Sequence, residues 1–544
     1  MKLRVSLLIG SFGILYLFLI FNLYNLQFNK NSYYEAKAES QELATGILEP
    51  LRGNIYFTDK NGNQVLAALD KNFPLIYAVP KEIEDPQKTA DQLSNILGIS
   101  GENLLKGLQN KKSLYYPVLF KATDEQVGNI SGLNIKGIYI KNQTARYYPF
   151  GSLASNLLGF VSPAQNNNGL DQGQYGIEAY FNKELSGSMG DLNGDKITSS
   201  ADGSDIHLTV DPNIQDQAEE TLKKIVDQWS AVGGDVIVED PNTGKILTMA
   251  SYPNFDPNNY SQSQMSNFIN PNVQLLYEPG SVFKILTMAA GIDTNKITPD
   301  TTYYDTGLDI INGKKIHDWD NKAHGLQTMT DVIVHSLNLG TIFAEKTMGH
   351  EIFTDYVKKF GMGDLTGIQL PGEVSGNLQS LRNGRDVNYA TASFGQGIAI
   401  TPIEMITAAS AIANGGLLMK PIIRENEQPE VIRRVISEDT AKKVTQMMVK
   451  DVVENVLAAI PNYNIAGKSG TAYIPDLKHG GYTSQVIDSF IGFAPAINPK
   501  FIVLIRLDAP KGAPLSGTAV VPGFRELTDF ILNYYNVAPD NINK

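Results

Sequence analysis

Pro279-Gly280-Ser281-Val282-Phe283-Lys284 continues directly into the apolar segment Ile285-Leu286-Thr287-Met288-Ala289-Ala290. Positions three residues apart lie on one face of a helical turn, so this spacing brings the Ser281 hydroxyl close to the Lys284 amine. Because the segment is apolar on almost every side, it predicts a buried helix whose polar stripe is Ser281, Lys284 and Thr287. Burial disfavours a charged ammonium and lowers the pKa of a lysine, which makes Lys284 a candidate base for a Ser281 nucleophile.

Two further motifs follow in the chain, Ser336-Leu337-Asn338 and Lys468-Ser469-Gly470-Thr471. A Ser-x-x-Lys spacing alone is weak evidence, since roughly one or two are expected by chance in a chain of this length. β-Lactamases and penicillin-binding proteins, however, carry Ser-x-x-Lys, Ser-Asp-Asn and Lys-Thr-Gly motifs in this order. Leu337 and Ser469 depart from that pattern in a way that resembles the penicillin-binding branch.

Length and composition set limits on the fold and on the function. At 544 residues the chain predicts two or three domains. Its net charge of −12 argues against a nucleic-acid partner, whose phosphates require a basic surface. The absence of cysteine excludes thiolate catalysis, disulfides and cysteine-ligated zinc. The six histidines are scattered, so we predict neither a metal site nor a cofactor.

The N-terminus predicts a membrane anchor. Lys2 and Arg4 precede an uncharged run from Val5 to Leu26, which is roughly 33 Å of helix and enough to cross a bilayer. The positive flank should stay in the cytoplasm, so residues 1–30 form a cytoplasmic tip and a single span, and the rest of the chain lies outside the cytoplasm. A signal peptide cleaved after Ala38 is the alternative, but the apolar run is too long for a typical signal core.

Residues 31–204 read as a mixed region of short strands and helices in which no active site is apparent. The stretch 194–204 is rich in Ser, Gly and Asp and predicts a linker. We therefore place the main domain boundary near Asp205. It separates a non-catalytic module, residues 31–204, from a catalytic module, residues 205–544.

The catalytic module has strands near both ends and helices between them, a pattern that favours an α+β domain. An antiparallel sheet covered by helices is expected, with a largely helical lobe that carries Ser281 and Ser336. The elements predicted along the whole chain are a hairpin around Asn61-Gly62, a helix over Pro212–Trp229, strands over Gly234–Glu239, Lys245–Ala250, Asp488–Phe493 and Phe501–Leu507, and a helix over Phe524–Tyr535.

Motif order, spacing and flanking sequence resemble those of class B penicillin-binding proteins, the D,D-transpeptidases of peptidoglycan synthesis. The resemblance spans nearly the whole chain and implies a mixed fold: a transmembrane helix, an α/β pedestal over 31–204 for dimerisation or partner binding, and a penicillin-binding transpeptidase domain similar to serine β-lactamases over 205–544. The additional segments that carry it are Arg52-Gly53-x-Ile55, Arg146-Tyr147-Tyr148-Pro149-x-Gly151, Gly176-Ile177-Glu178, Leu208-Thr209-Val210-Asp211, Gly395-Gln396-Gly397 and Thr401-Pro402.

This resemblance implies a role for each motif residue. Ser281 attacks the carbonyl between the two terminal D-alanines of a stem peptide and forms an acyl-enzyme, with Lys284 as base and Ser336 as proton relay. The backbone N–H groups of Ser281 and Thr471 form the oxyanion hole. A glycine at position 470 leaves room for substrate along the strand. The implied substrate-binding residues are Asn338, Lys468, Ser469, Gly470 and Thr471.

The implied partners are stem peptides ending in D-Ala-D-Ala, β-lactams as inhibitors, a membrane glycosyltransferase and division proteins. Asn338 in the second motif and Ala472 after the third are more similar to division-type members than to elongation-type members. The polar segment Tyr473–Gln485 directly follows the third motif and could move over the site.

Other functions share parts of this pattern. A D,D-carboxypeptidase or a β-lactamase passes the acyl group to water, and the sequence does not distinguish these acceptors. A β-lactam-sensing receptor should have several membrane spans or a cytosolic effector, and a bifunctional enzyme should have a glycosyltransferase domain before residue 205; neither is apparent. The intact motif residues disfavour a catalytically silent scaffold of the division machinery.

Overall fold

The computed structural model describes Tyr16 and residues 50–541, except for 164–169, 194–195, 383 and 514. Apart from Tyr16, the predicted membrane anchor and the alternative cleavage site after Ala38 lie outside the described residues. In the described part of the chain, no helix is both long enough and apolar enough to cross a bilayer. The described residues form two compact units, a small one that contains 50–53, 163, 170–171, 183–193 and 196–204, and a large one that contains 54–162, 172–182 and the chain from 205 onward. The functional boundary near Asp205 stays a prediction.

Strands and helices alternate irregularly along the described chain. The strands are β1 (Ile55–Thr58), β2 (Gln64–Ala78), β3 (Tyr116–Phe120), β4 (Ile138–Tyr147), β5 (Phe160–Ser162), β6 (Gln172–Gln174), β7 (Asp191–Asn193), β8 (Lys196–Thr198), β9 (Ile206–His207), β10 (Gly233–Glu239), β11 (Ile246–Tyr252), β12 (Thr302–Asp305), β13 (Leu308–Ile311), β14 (Lys314–His317), β15 (Gly325–Thr328), β16 (Leu417–Met419), β17 (Val431–Arg434), β18 (Ala466–Pro475), β19 (Tyr482–Ala494) and β20 (Phe501–Asp508).

The α-helices are α1 (Pro86–Leu97), α2 (Gly101–Leu108), α3 (Asp124–Leu133), α4 (Ser155–Leu158), α5 (Gly176–Tyr180), α6 (Asn182–Leu185), α7 (Pro212–Trp229), α8 (Pro271–Gln274), α9 (Lys284–Asp293), α10 (Met329–Val334), α11 (Asn338–Met348), α12 (His350–Lys359), α13 (Asp386–Ala392), α14 (Pro402–Ala413), α15 (Glu438–Asn455), α16 (Ser516–Ala519) and α17 (Val521–Tyr534). Short 3₁₀ helices span Pro257–Gln262, Met265–Phe268, Gly280–Phe283 and Gln379–Arg382.

The small unit is held by hydrogen bonds between its segments. The backbone N–H of Gly53 donates to the Leu185 carbonyl at 2.8 Å, and that of Gly203 donates to the Leu51 carbonyl at 2.9 Å. A Cβ atom at position 53 would lie 2.1 Å from the Ser204 carbonyl oxygen. Gly53, part of the first segment of the family resemblance, is therefore required for a close backbone approach.

An N-terminal sheet occupies one part of the large unit. Its strands lie in the order β3-β2-β1-β9, and β4 also pairs with β2. β1 and β2 are antiparallel on either side of the turn that contains Gly62, which confirms the predicted hairpin. Asp59 stabilises this turn because its Oδ1 accepts the N–H groups of Asn61 and Asn63 at 2.8 Å each. Apolar residues of α1, α2 and α3 form a core with Ile76 and Ala78 of β2.

Two segments of the family resemblance meet in a buried ion pair. Arg146, near the end of β4, donates from Nε to Glu178 Oε1 of α5 at 2.7 Å and from Nη1 to Asp70 Oδ1 of β2 at 3.3 Å. The Tyr148 hydroxyl also donates to Glu178 Oε1, at 3.2 Å. Arg146 and Glu178 are both buried, so each supplies the opposite charge that the other needs in a low-dielectric interior.

Arg146→Ala should lower the stability of the fold, by about 3 to 5 kcal/mol, because Glu178 would stay buried without its opposite charge. Thermal unfolding measures this as a lower midpoint. Lys136→Ala is the matched control, since it removes an exposed ion pair with Glu84 and should leave the midpoint nearly unchanged. Equal midpoints for the two variants would contradict the prediction.

The sheet of the catalytic module is antiparallel, as predicted from the sequence. It has five strands in the order β11-β10-β20-β19-β18. Helices α7 and α17 pack on it around a core that includes Val236, Ile505 and Phe524. The predicted helix Pro212–Trp229 is confirmed as α7, and Asp211 caps its start by accepting the Asn213 N–H at 2.9 Å. Strand β18, which carries the third motif, lies at the edge of the sheet.

Two predicted elements begin at least three residues earlier than expected. The C-terminal helix begins at Val521 rather than Phe524, because Pro522 is well tolerated in a first helical turn. Strand β19 begins at Tyr482 rather than Asp488. Its first residues are mostly exposed and pair with the end of β18 outside the core, so they lack the apolar pattern from which strands are predicted.

The segment around Ser281 forms a 3₁₀ turn, Gly280–Phe283, that runs into helix α9. Every residue of α9 from Lys284 to Ile292 is buried, as predicted. Ser281 itself lies in the 3₁₀ turn rather than in the α-helix. The backbone N–H of Lys284 donates to the Ser281 carbonyl, so these two residues are still one turn apart. Helix α9 contacts α11, α14 and α15, which together form the predicted helical lobe.

Candidate active site

All three sequence motifs meet at one cleft, with a volume of about 820 Å³. Two of the predicted residues, Lys284 and Gly470, do not line it. Lys284 is buried and touches a lining residue, and Gly470 lies in β18 between two lining residues. The predicted residues that line the cleft are Ser281, Ser336, Asn338, Lys468, Ser469 and Thr471.

Two glycines allow the Ser281 turn to lie against β18. Gly280 adopts φ +60°, and a Cβ atom there would lie 2.8 Å from the Thr471 carbonyl oxygen. A Cβ atom at Gly470 would lie 2.9 Å from Val282 Cγ1 and 3.1 Å from the Pro279 carbonyl oxygen. Ser489 Oγ, on the neighbouring strand, would lie closer still, at 2.8 Å. The space at Gly470 is thus filled by Ser489 and by the Ser281 turn, a reason for glycine that the sequence did not reveal.

The Lys284 amine is hydrogen-bonded to Ser336. Its Nζ donates to the Ser336 carbonyl at 2.6 Å and to Ser336 Oγ at 3.4 Å. Desolvation lowers the pKa of Lys284 well below its usual value, and the nearby charge of Lys468 lowers it further, against the opposing effect of Asp318 and Asp451. These effects favour the neutral amine, the form that can accept a proton.

Ser336 has a left-handed backbone in the turn between α10 and α11. Its φ is +54°, a conformation that residues other than glycine rarely adopt. The turn is closed by a hydrogen bond from the Leu337 N–H to the Val332 carbonyl at 3.0 Å. Local strain of this kind persists where the surroundings impose it, often at functional sites. Here it points both the carbonyl and the hydroxyl of Ser336 towards Lys284.

Asn338 begins helix α11 and is fixed by the segment that follows β14. Its side-chain Nδ2 donates to the His317 carbonyl at 2.8 Å. Asp318 Oδ1 accepts the backbone N–H groups of Asn338, at 2.5 Å, and Leu339, at 3.1 Å. Burial raises the pKa of Asp318 to about 6, and a hydrogen bond with Asp305 also raises it. Asp318 is a residue of the site that the sequence analysis missed.

Lys468 lies in the wall of the cleft and is almost fully buried by polar neighbours. Its Nζ lies 3.3 Å from Asp451 Oδ2 of α15 and 3.5 Å from Ser469 Oγ. Only 1% of the Lys468 surface is exposed, so a neighbouring carboxylate is needed to keep a charge there. Asp451 lies on an otherwise ordinary helix and belongs to no sequence motif.

The Thr471 hydroxyl donates to Asp488 Oδ1 on the neighbouring strand at 2.7 Å. Burial raises the pKa of Asp488 to about 6, and the hydrogen bond from Thr471 opposes this rise. In this arrangement the Thr471 side chain is a donor to protein rather than a free donor to substrate. The Ser469 hydroxyl, by contrast, lies on the cleft wall beside Lys468.

The polar segment Tyr473–Gln485 forms the outer end of the β18–β19 hairpin and the turn that joins the two strands. Its Tyr482 hydroxyl bonds to Glu278 Oε2 at 3.0 Å, three residues before Ser281. Burial raises the pKa of Glu278 to about 7, whereas the hydrogen bonds from Tyr482 and from the Gly397 backbone lower it. This contact connects the outer hairpin to the segment that leads into the Ser281 turn.

Two protein-family models match this chain. The family model described as the penicillin-binding protein transpeptidase domain matches residues 234–529, and the model of the penicillin-binding protein dimerisation domain matches residues 47–222. Together these matches cover most of the chain, including all three motifs.

Similar proteins are known from several bacteria. The stage V sporulation protein D of Bacillus subtilis is 36% identical over 87% of this chain and 77% of its own length. The peptidoglycan D,D-transpeptidase FtsI of Escherichia coli is 28% identical over 99% of this chain and 92% of its own length. The crystal structure of penicillin-binding protein 3 from Mycobacterium tuberculosis, complexed with aztreonam, superposes with a TM-score of 0.70 at 26% identity, over 90% of this chain and 98% of that one. This chain therefore belongs to the class B penicillin-binding proteins, as its sequence motifs predicted.

Proposed function

We propose that this protein is a serine D,D-transpeptidase that crosslinks peptidoglycan stem peptides through an acyl-enzyme on Ser281. The observation that carries this proposal is the meeting of Ser281, Ser336 and Lys468 at one cleft, with the amine of Lys284 bonded to Ser336 beneath it. The name of the Escherichia coli relative, a peptidoglycan D,D-transpeptidase, supports the reaction class.

In the acylation step, Ser281 Oγ attacks the carbonyl carbon between the two terminal D-alanines of a donor stem peptide. Lys284 accepts the Ser281 proton. Ser336, which is hydrogen-bonded to Lys284, passes a proton to the nitrogen of the departing D-alanine. An amine of a second stem peptide then attacks the carbonyl carbon of the Ser281 ester. The amine proton passes through the same groups to Ser281 Oγ, and the bond between Oγ and the acyl carbon breaks, which releases the crosslinked product and frees the serine.

The remaining motif residues bind the substrate. The backbone N–H groups of Ser281 and Thr471 stabilise the developing oxyanion, and one such donor is worth about 3 kcal/mol. Lys468 and the Ser469 hydroxyl lie where the terminal carboxylate would bind. Asn338 would bond to the peptide amide through its Oδ1, since its Nδ2 is engaged by His317.

The physiological role we propose is septal cell-wall synthesis, with a membrane glycosyltransferase and division proteins as partners. The relatives named FtsI and stage V sporulation protein D support this choice over elongation. β-Lactams, whose ring amide is attacked in place of the stem peptide, would acylate Ser281. The complex of the Mycobacterium tuberculosis protein with aztreonam supports inhibition of this kind.

The decisive experiment for the reaction is incubation of the full-length protein in detergent with glycan strands that carry pentapeptide stems. Mass spectrometry of the digested product separates three outcomes. Crosslinked dimers with release of one D-alanine for each crosslink support a transpeptidase. Shortened but uncrosslinked stems would replace it with a D,D-carboxypeptidase, and unchanged stems with intact penicillin binding would replace it with a silent scaffold.

The location we propose is the cytoplasmic membrane, with one span, the N-terminus in the cytoplasm and the bulk of the chain outside. Lys2, Arg4 and the bilayer-length run that follows them support it. A reporter enzyme that functions only outside the cytoplasm should therefore be active when it is fused after Lys544. A reporter that functions only in the cytoplasm should be inactive at the same position. N-terminal sequencing of the mature protein should find a start at or near Met1, whereas a start at Glu39 would replace the anchor with a signal peptide.

A further inference from the structure

Helix α15 places a buried carboxylate behind the third motif. Asp451 is 5% exposed, and both of its oxygens are engaged. Oδ2 lies 3.3 Å from Lys468 Nζ, and Oδ1 accepts a hydrogen bond from Asn455 Nδ2. The same Asn455 Nδ2 donates to the Val334 carbonyl at 3.1 Å, at the end of α10. Asp451 is thus fixed between the helix before Ser336 and the strand that carries Lys468.

The charges around Asp451 make its position significant. Lys468 and Lys284 are both fully buried, and the charge of Lys468 acts on Lys284. Two buried ammonium groups repel each other strongly unless a carboxylate balances them. The negative charge of Asp451 attracts both ammonium groups and so reduces the repulsion between them. The other charged groups that act here are Asp318, towards Lys284, and Glu454, on the same helix as Asp451.

We infer that Asp451 is a positioning residue for the acylation and deacylation steps, which holds the Lys468 side chain in place and supplies the negative charge that Lys468 and Lys284 share. The inference rests on the proposed function. In this role Asp451 does not contact the reacting atoms of the substrate. It acts on the reaction through Lys468 and Lys284. No motif of the sequence points to it.

The consequence is a shift of the pH profile of acylation. Acylation needs Lys284 neutral, so its rate should rise with increasing pH. Asp451→Asn keeps the shape of the side chain and removes its charge, which destabilises the ammonium form of Lys284. The rise of the rate should therefore move to lower pH. Above this rise, the second-order rate constant should fall at least tenfold, because Lys468 is no longer held in place by Asp451.

The test measures acylation of the full-length protein by a fluorescent penicillin between pH 5.5 and 9.5. Glu454→Gln is the matched control, because it removes a carboxylate one turn along α15 that pairs with Lys450 instead of Lys468. The control should shift the profile much less than Asp451→Asn does, because Glu454 acts on Asp451 only weakly and does not contact Lys468. An unchanged profile for Asp451→Asn, or an equal shift for Glu454→Gln, would overturn the inference.

A double-mutant cycle keeps the test decisive if Asp451→Asn alone does not fold. Lys468→Met removes the charge that Asp451 balances. The two variants to compare are Lys468→Met alone and Lys468→Met combined with Asp451→Asn, because neither leaves an unpaired buried ammonium at position 468. In the Lys468→Met background only Lys284 is left for Asp451 to act on, so the added Asp451→Asn change should still move the rise of the acylation rate to lower pH. A rise at the same pH in these two variants would overturn the inference. Absence of acylation in the wild type would instead refute the proposed function itself.

Discussion

Ser281→Ala is expected to abolish covalent labelling by a fluorescent penicillin while leaving the fold intact. Ser281 is the residue at which the 3₁₀ turn, the edge of β18 and the cleft meet, and alanine removes only the hydroxyl that would form the ester. Because no bond can then form, the expected loss is complete rather than partial. Gel fluorescence measures the label, and thermal unfolding checks that the variant is folded.

Ser469→Ala is the control for this prediction. It removes another serine hydroxyl from the same cleft, but not the proposed nucleophile, so labelling should become slower and still reach completion. Mass spectrometry of the labelled wild-type peptide should place the added mass on Ser281. Labelling that persists in folded Ser281→Ala protein would refute the assignment and require a different nucleophile.

The parts of the fold that could be predicted are those with a local signal. Helix α7 was predicted with its correct bounds because Asp211 and Pro212 mark its start and an apolar stripe follows. Four of the five strands of the catalytic sheet were predicted, because each contains a continuous, largely buried apolar run. Strand β18 was not among them, since the polar residues of the third motif interrupt its apolar pattern. The three motifs, separated by more than a hundred residues of chain in places, were predicted to meet only because the resemblance implied it.

The parts of the site that were missed depend on contacts between distant segments. Asp318, Asp451 and Asp488 are single acidic residues in unremarkable surroundings, and each becomes informative only when a lysine, a backbone N–H or a hydroxyl from another element lies beside it. Glu278 is different, since it directly precedes Pro279 and Gly280 of the first motif. Its nearness to Ser281 in the sequence was a signal that could have been used.

The hydrogen bond between Lys284 and Ser336 could also not be predicted from the sequence. A spacing of three residues predicts that Lys284 and Ser281 share a face, and the structure keeps them one turn apart. It is the left-handed turn at Ser336, however, that provides the acceptors for the amine. Periodicity within one helix cannot predict a bond to a turn that lies 52 residues further along the chain.

Lys284→Ala is expected to slow penicillin acylation by a factor of about 10² or more, the usual scale for loss of a general base. The wild-type rate should rise with pH as Lys284 loses its proton, since only the neutral amine can accept one. The alanine variant should lack this rise, because it has no amine to titrate. Stopped-flow fluorescence at a series of pH values measures both effects. Lys346→Ala, at an exposed lysine that pairs with Asp309 outside the cleft, should match the wild type.

Lys284→Arg separates two roles that the alanine variant removes together. A guanidinium stays protonated at every pH of the assay, so it can supply a positive charge beside Ser336 but cannot accept a proton. If Lys284 acts as the base, the arginine variant should be as slow as the alanine variant, even where thermal unfolding shows that it is folded. If the arginine variant acylates at close to the wild-type rate, Lys284 serves as a charge. The proton of Ser281 must then go to another group, and Ser336 is the one that lies in position.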